Sequence, residues 1–189
     1  MLKIIMRVFI LILFFIYTSF SYADFIKIDN NGNKLDISSK KWHCVLDRKT
    51  NLMWEVKTTD HTLHNQHNTY TWFDGKTGTK NGGNSKNCNW GKFCNTSKYV
   101  SLINSQKLCS FSNWRLPSVV ELTTIIKYTD FDPTIDTVFF PNAIPSLYWS
   151  SEENIDDKEA AWDVPFFYGG EGGSGKEFNS YIRLVRNAD

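Results

Sequence analysis

Charge of either sign in excess is missing from this chain. Lys and Arg number 21 against 20 Asp and Glu over 189 residues, a formal charge of +1. That balance excludes a polybasic nucleic-acid binder and a charge-extended disordered chain. Long apolar runs are also absent after the N-terminus: one stands at residues 8–17, too short for the roughly 20 apolar residues of a membrane-crossing helix. The four cysteines form no C-x-x-C and no Cys/His spacing of a zinc or redox centre. A G-x-S-x-G elbow and a G-x-x-x-x-G-K-[ST] phosphate loop are missing too, which removes the motifs of a serine hydrolase and a P-loop NTPase.

Among the features present, Lys3 and Arg7 precede the apolar run, and Ser21, Tyr22 and Ala23 follow it as a small-residue exit. This is the pattern of a secretory signal peptide over residues 1–23, cleaved after Ala23. Loss of Lys3 and Arg7 takes the formal charge from +1 to −1. Residues 24–189 then suit one globular domain, secreted or periplasmic, with no membrane span after cleavage. Export favours disulfides over metal or nucleophile roles for Cys44, Cys88, Cys94 and Cys109. Four cysteines allow three pairings. The short segment between Cys88 and Cys94 contains Gly91 and can close as a local ring, which leaves Cys44 to pair with Cys109.

Residues 42–46 and 52–56 read as two strands of a hairpin around the polar turn 47–51. Residues 57–92 show little periodicity and form a long irregular excursion. Asn95 or Thr96 caps a helix to about Leu108. Ser118 and Glu121 form an S-x-x-E capping box before Val119, Leu122, Ile125 and Ile126, which predicts a helix over 119–127. Strands are expected at 148–151, 161–167 and 181–186, with the glycine-rich residues 169–175 as a flexible connection. The sum is an α+β pattern.

Three constellations invite a chemical reading. His61, His64 and His67 suit neither a helix, with so many Asn and Thr beside them, nor one face of a strand, and read as a solvated loop with adventitious zinc or copper as the alternative. The acidic residues 152–159 offer oxygen ligands of the kind calcium takes, yet lack the glycine and alternation of an EF-hand loop. They read as a solvated turn, with a structural calcium left open and no other cofactor expected. The aromatics make the third set, since sugar rings stack on Trp and Tyr. Trp72, Trp90, Tyr148, Trp162 and Tyr168 are candidate ligand-binding residues, with Lys176 and Arg183 placed to meet an acidic group. Core packing is the competing role for each aromatic. No catalytic constellation is found.

The order of short motifs is itself informative: Trp42-His43-Cys44-Val45-Leu46-Asp47, then Thr50-Asn51-Leu52-Met53-Trp54-Glu55, Tyr70-Thr71-Trp72, Asn113-Trp114-Arg115-Leu116-Pro117 with Glu121-Leu122, Phe140-Pro141, Tyr148-Trp149-Ser150-Ser151 and Val185-Arg186. This series resembles the Lcl C-terminal domain family, the domain that ends the Legionella collagen-like adhesin. The family pattern has glycine where Asn51 stands and aspartate where Asn113 stands. Asparagine tolerates positive φ as glycine does. The resemblance implies a C-type-lectin-like fold, akin also to formylglycine-generating enzymes, with small antiparallel sheets, two helices and long ordered loops stapled by disulfides. It implies Trp54, Trp114, Leu116, Ile125 and Trp149 as core and Arg115 as a buried or half-buried ion-pair partner. The active-site pattern of formylglycine-generating enzymes and the E-P-N calcium motif of lectins are both absent from this sequence. The function implied is a binding module for carbohydrate or glycosaminoglycan at cell surfaces. The rivals from other classes are an exported metal-dependent enzyme and a structural component of an envelope or pilus assembly that binds an envelope protein.

Overall fold

The computed structural model describes residues 24–82 and 94–189. One antiparallel sheet has the order β1 (Phe25–Ile28), β2 (Cys44–Asp47), β3 (Leu52–Glu55), β7 (Val185–Asn187), and a second has β4 (Leu147–Glu153), β5 (Ala160–Pro165), β6 (Gly172–Gly175). Between them in sequence lie α1 (Thr96–Gln106) and α2 (Val119–Thr124).

Strands β2 and β3 form the expected hairpin, with Val45 opposite Trp54. Asp47 caps its turn through the Lys49 backbone N–H and the Thr50 hydroxyl, and Asn51 sits at φ 56°, the conformation its glycine-like tolerance allows. Side chains alternate along a strand, so the first sheet serves two cores at once. Cys44 and Met53 pack on one face with Tyr99 and Ile103 of α1, while Val45 and Trp54 pack on the other with Val119 and Leu122 of α2. Covered on both faces, the hairpin is mostly apolar along its length. Glu55 is the exception: it shares parity with Met53 and therefore enters the α1-side core, where it is fully buried.

Helix α1 begins at Asn95, whose side-chain oxygen accepts from the Lys98 backbone N–H. Helix α2 opens on the expected reciprocal capping box between Ser118 and Glu121. It ends at Thr124 rather than at residue 127, because Lys127 donates its backbone N–H to Thr134 and Ile126 bridges to Ile135. Replacing Ser118 with alanine is expected to cost about 1 kcal/mol in urea unfolding, since Glu121 N–H then loses its acceptor. Trp54, Trp114, Leu116, Ile125 and Trp149 are buried as expected. Arg115 does pair with Glu121, at 2.7 Å, but its side chain is exposed rather than buried.

The structure differs from expectation in two further places. The glycine-rich connection contains β6, hydrogen-bonded to β5. A Cβ on Gly172 would lie 2.8 Å from Asp163 Oδ1, so glycine there permits the close pairing. The expected strand at 181–186 is divided: Tyr181 bridges to Tyr148 of the second sheet, Val185 pairs with Trp54 of the first, and Arg183 crosses the interior between them.

A disulfide joins Cys44 on β2 to Cys109, 65 residues on, with Cα atoms 6.5 Å apart. The second expected pairing involves Cys88, which lies outside the described residues. No helix of the described residues is long and apolar enough to cross a membrane.

Candidate functional site

Beyond the end of β3 the chain opens a cleft of about 560 Å³. One wall is the segment entering β2, with Lys40, Lys41, Trp42 and His43. A second is the loop after β3, with Thr58, Thr59, Asp60, Thr62 and His64. Pro141, Asn142, Asn30, Gln106 and Leu108 complete the lining. Local bonds hold these walls: Asn142 donates to the Lys57 carbonyl at 2.7 Å, and the Trp42 indole N–H to the Phe139 carbonyl at 2.8 Å. Lys27 Nζ stands 3.7 Å from the centre of the Trp42 ring and donates to the carbonyls of Ile37 and Ser39, fixing the segment that carries Lys40 and Lys41.

Lys57 and His64 connect the cleft to a charge cluster beneath it. Glu55 accepts from Lys57 Nζ at 3.0 Å, from His64 Nδ1 at 2.8 Å, from the Tyr99 hydroxyl, and from the Leu184 backbone N–H at 3.1 Å. An ionised carboxylate can only accept, so His64 carries its proton on Nδ1. The Tyr99 hydroxyl in turn accepts from Lys57 at 2.7 Å. Arg183 donates to the Glu55 carbonyl at 2.7 Å, and its guanidinium carbon lies 4.9 Å from the centre of the Phe140 ring.

These contacts set the protonation states. Burial by itself pushes the Glu55 carboxyl up, but Lys57, His64 and Tyr99 outweigh it and hold the group at about 2. Burial pulls the Lys57 ammonium down to about 8, against the pull of Glu55 and with Arg183 adding to the fall. The Tyr99 hydroxyl is pushed up by burial and by the Glu55 charge. With three donors on Oε1 and one on Oε2, the buried Glu55 carboxylate serves as a fixed counter-charge.

His43 lines the same cleft, and its buried Nδ1 has no hydrogen-bond partner among the described residues. Burial lowers its tendency to protonate, with Lys41 and His64 adding to the effect and Asp29 and Asp60 opposing it. Asp60 is engaged by the hydroxyls of Thr58 and Thr62. The cleft therefore presents cations and hydrogen-bonding groups, with its two neighbouring carboxylates already bonded.

The aromatic candidates do not converge on this or any other single surface. Trp72 is buried and donates to the Ser150 carbonyl at 2.9 Å. Tyr148 is buried against Phe166, with ring centres 4.4 Å apart, and its hydroxyl accepts from Ile144 N–H. Arg183 lies in the core, and Lys176 is buried where it bonds Glu153 and the Lys158 carbonyl over the Trp72 ring. These four hold the interior together and offer no face to a ligand in solution. Trp162 is half-buried on β5, Tyr168 is exposed beside Phe167, and Trp90 lies outside the described residues. Of the three loop histidines, His61 and His67 are exposed, but His64 turns inward to Glu55, correcting its reading as solvated loop. The acidic turn is organised by the Asn154 side chain, which accepts from the Asp156 and Asp157 N–H groups. Among the described residues no group of three His, Cys, Asp or Glu is arranged to hold a metal ion.

The sequence marks Glu55 only as the end of a motif and gives Lys57 no role, although a signal for the pair is there. A glutamate inside the run Leu-Met-Trp-Glu-Val, with a lysine two residues on and so on the same strand face, marks a charge pair carried into a core.

A family model, the Lcl C-terminal domain, matches residues 43–186. The chain belongs to the Lcl C-terminal domain family. A search of curated proteins finds no match. The matched span of the Lcl C-terminal domain runs from just before β2 into β7, so Glu55, Lys57, His64, Tyr99 and Arg183 all lie within it. Lys40, Lys41 and Trp42 precede it. In this member of the Lcl family the matched span thus supplies the floor of the cleft, and the residues just before it supply part of a wall.

Proposed function

We propose that the protein is an exported, adhesin-related binding module whose ligand is carbohydrate or a cell-surface glycoconjugate, held in the cleft above Glu55. The observation that carries this reading is the cleft itself. Its volume falls within the roughly 300–1,000 Å³ of small-ligand sites, and its lining combines one aromatic ring with many short polar side chains able to bond sugar hydroxyls. Family membership supports an adhesin-related role. The Cys44–Cys109 disulfide and the apolar N-terminal run support export to an oxidising compartment. Recognition rather than catalysis suits a site whose buried carboxylate is held by four donors.

A glycan-array screen of the oxidised exported protein at physiological salt, with and without a calcium chelator, tests the reading. Selective binding that survives the chelator is expected. A blank array from protein shown to be folded by near-ultraviolet circular dichroism would overturn it.

One observation favours a second reading, an envelope-assembly component. Tyr128, Phe167 and Tyr168 are exposed, the Phe167 and Tyr168 rings are in contact, and the Tyr128 ring lies against the neighbouring Gly169. Co-purification of a stable envelope partner that is lost on Tyr128→Ser/Tyr168→Ser would move the weight to that reading.

A further inference from the structure

The segment that passes from the second sheet to the first carries Arg183 through the interior, where its side chain is fully buried. Nη1 donates to the Glu55 backbone carbonyl at 2.7 Å, whereas Nε and Nη2, both buried, have no hydrogen-bond partner among the described residues. The guanidinium carbon lies 4.9 Å from the centre of the Phe140 ring and 6.0 Å from that of Tyr148, and ring faces attract a cation without cancelling its charge. No ion pair among the described residues includes Arg183. Lys57 balances the Glu55 carboxylate, so Arg183 is a positive charge in excess. Residues 1–23 and 83–93 contain no Asp or Glu, so the chain has no further side-chain carboxylate to offer it. Lysine answers burial by releasing its proton more readily, as Lys57 does at about 8, but arginine keeps its charge in proteins. A buried cation with two unanswered donors on one edge is strongly unfavourable unless an anion meets it.

We propose that Arg183 holds a small monovalent anion, of the size and charge of chloride, against the Nε–Nη2 edge of its guanidinium, and that this ion locks the crossing segment between the two sheets. That edge presents two parallel N–H donors to one acceptor. The Tyr148 hydroxyl accepts from the Ile144 backbone N–H at 3.0 Å and keeps its own hydrogen for a further bond. Burial pushes that hydroxyl up and the Arg183 charge opposes the rise, so the two groups stand within electrostatic reach of each other. A water molecule could accept the same bonds but would leave the charge uncompensated.

Crystals of the oxidised protein, refolded from urea in bromide so that the ion enters as the interior closes, test it by anomalous scattering at the bromine edge. An anomalous peak within hydrogen-bond reach of Arg183 Nε and Nη2 is expected. The thermal midpoint should also be a few degrees higher in sodium chloride than in sodium gluconate of equal ionic strength, because an ion bound only by the folded state stabilises it and gluconate is too large to take its place. Arg183→Met, first checked for an unaltered near-ultraviolet spectrum, should remove that difference between the salts. If the variant does not fold, the wild-type crystal and the two midpoints decide alone. An oxygen-sized peak at the guanidinium edge with no anomalous signal would overturn the proposal, since water would then be the partner. So would equal midpoints in the two salts, or a chloride response that persists unchanged in folded Arg183→Met, which would place the ion elsewhere.

Discussion

Replacing Glu55 with glutamine lowers the unfolding free energy by about 3–5 kcal/mol, the usual cost of leaving a buried charge without its partner. Lys57 and Arg183 are both buried and both look to Glu55, one through its carboxylate and the other through its carbonyl. Glutamine keeps the shape and an acceptor oxygen but loses the charge that balances Lys57. Urea unfolding monitored by tryptophan fluorescence reads the change as a shift in midpoint. Adding Lys57→Met to Glu55→Gln should recover part of the loss, because the orphaned ammonium then disappears with its partner. A Glu55→Gln shift within about 0.5 kcal/mol, the range of ordinary surface substitutions, would show that the cluster is not the counter-charge described.

The same group sets the acid limit of stability. Glu55 titrates near 2 in the folded protein and near 4.5 when unfolded, so between those values the unfolded chain binds the extra proton. Its contribution, about 3 kcal/mol, is complete above pH 4.5 and lost as pH falls toward 2. Stability measured across that window should fall more steeply in the wild type than in Glu55→Gln, and parallel profiles would contradict the assignment. Exposed pairs such as Arg115–Glu121 add little by comparison.

The second large effect belongs to the disulfide. Removing it as Cys44→Ala/Cys109→Ala is expected to cost about 4 kcal/mol, the chain-entropy value for freeing a loop of this length in the unfolded state. The loop of 65 residues encloses Glu55, Lys57, His64 and Tyr99, so the bridge restrains the segment that builds the floor of the cleft. Thermal unfolding of the variant beside the oxidised wild type measures it. A loss below about 1 kcal/mol would mean that the native packing of β2 against the turn at Cys109 confines the chain without the bond.

The elements that were legible in the sequence depend on short-range signals. The hairpin followed from two short apolar runs and the polar turn between them, α2 from its capping box, and α1 from an asparagine cap, and all three stand where those residues are. The Cys44–Cys109 pairing followed from counting once the short segment 88–94 was set aside as its own ring. The errors fall where a distant segment intervenes. Helix α2 stops early because residues 134 and 135 capture the backbone of 126 and 127. The glycine connection becomes a strand because β5 offers it an edge, and the 181–186 segment divides because two sheets compete for it.

Candidate ligand residues were misjudged for a related reason. Trp72, Tyr148, Lys176 and Arg183 carry side chains that could serve a ligand or a core equally well, and only their neighbours decide which. Trp72 finds Ser150 and Arg183 finds Phe140, contacts that no local pattern announces.

The sequence by itself determined the balanced charge, the apolar N-terminal run, the helix caps and the ordered motifs of the Lcl C-terminal domain, and favoured the Cys44–Cys109 bridge, because each is written within a few neighbouring residues or in simple counts. Only the tertiary structure decided the site. Glu55 draws its donors from positions 2, 9, 44 and 129 residues away, and a charge cluster spread so widely along the chain takes shape only when strand, loop, helix and the crossing segment pack together.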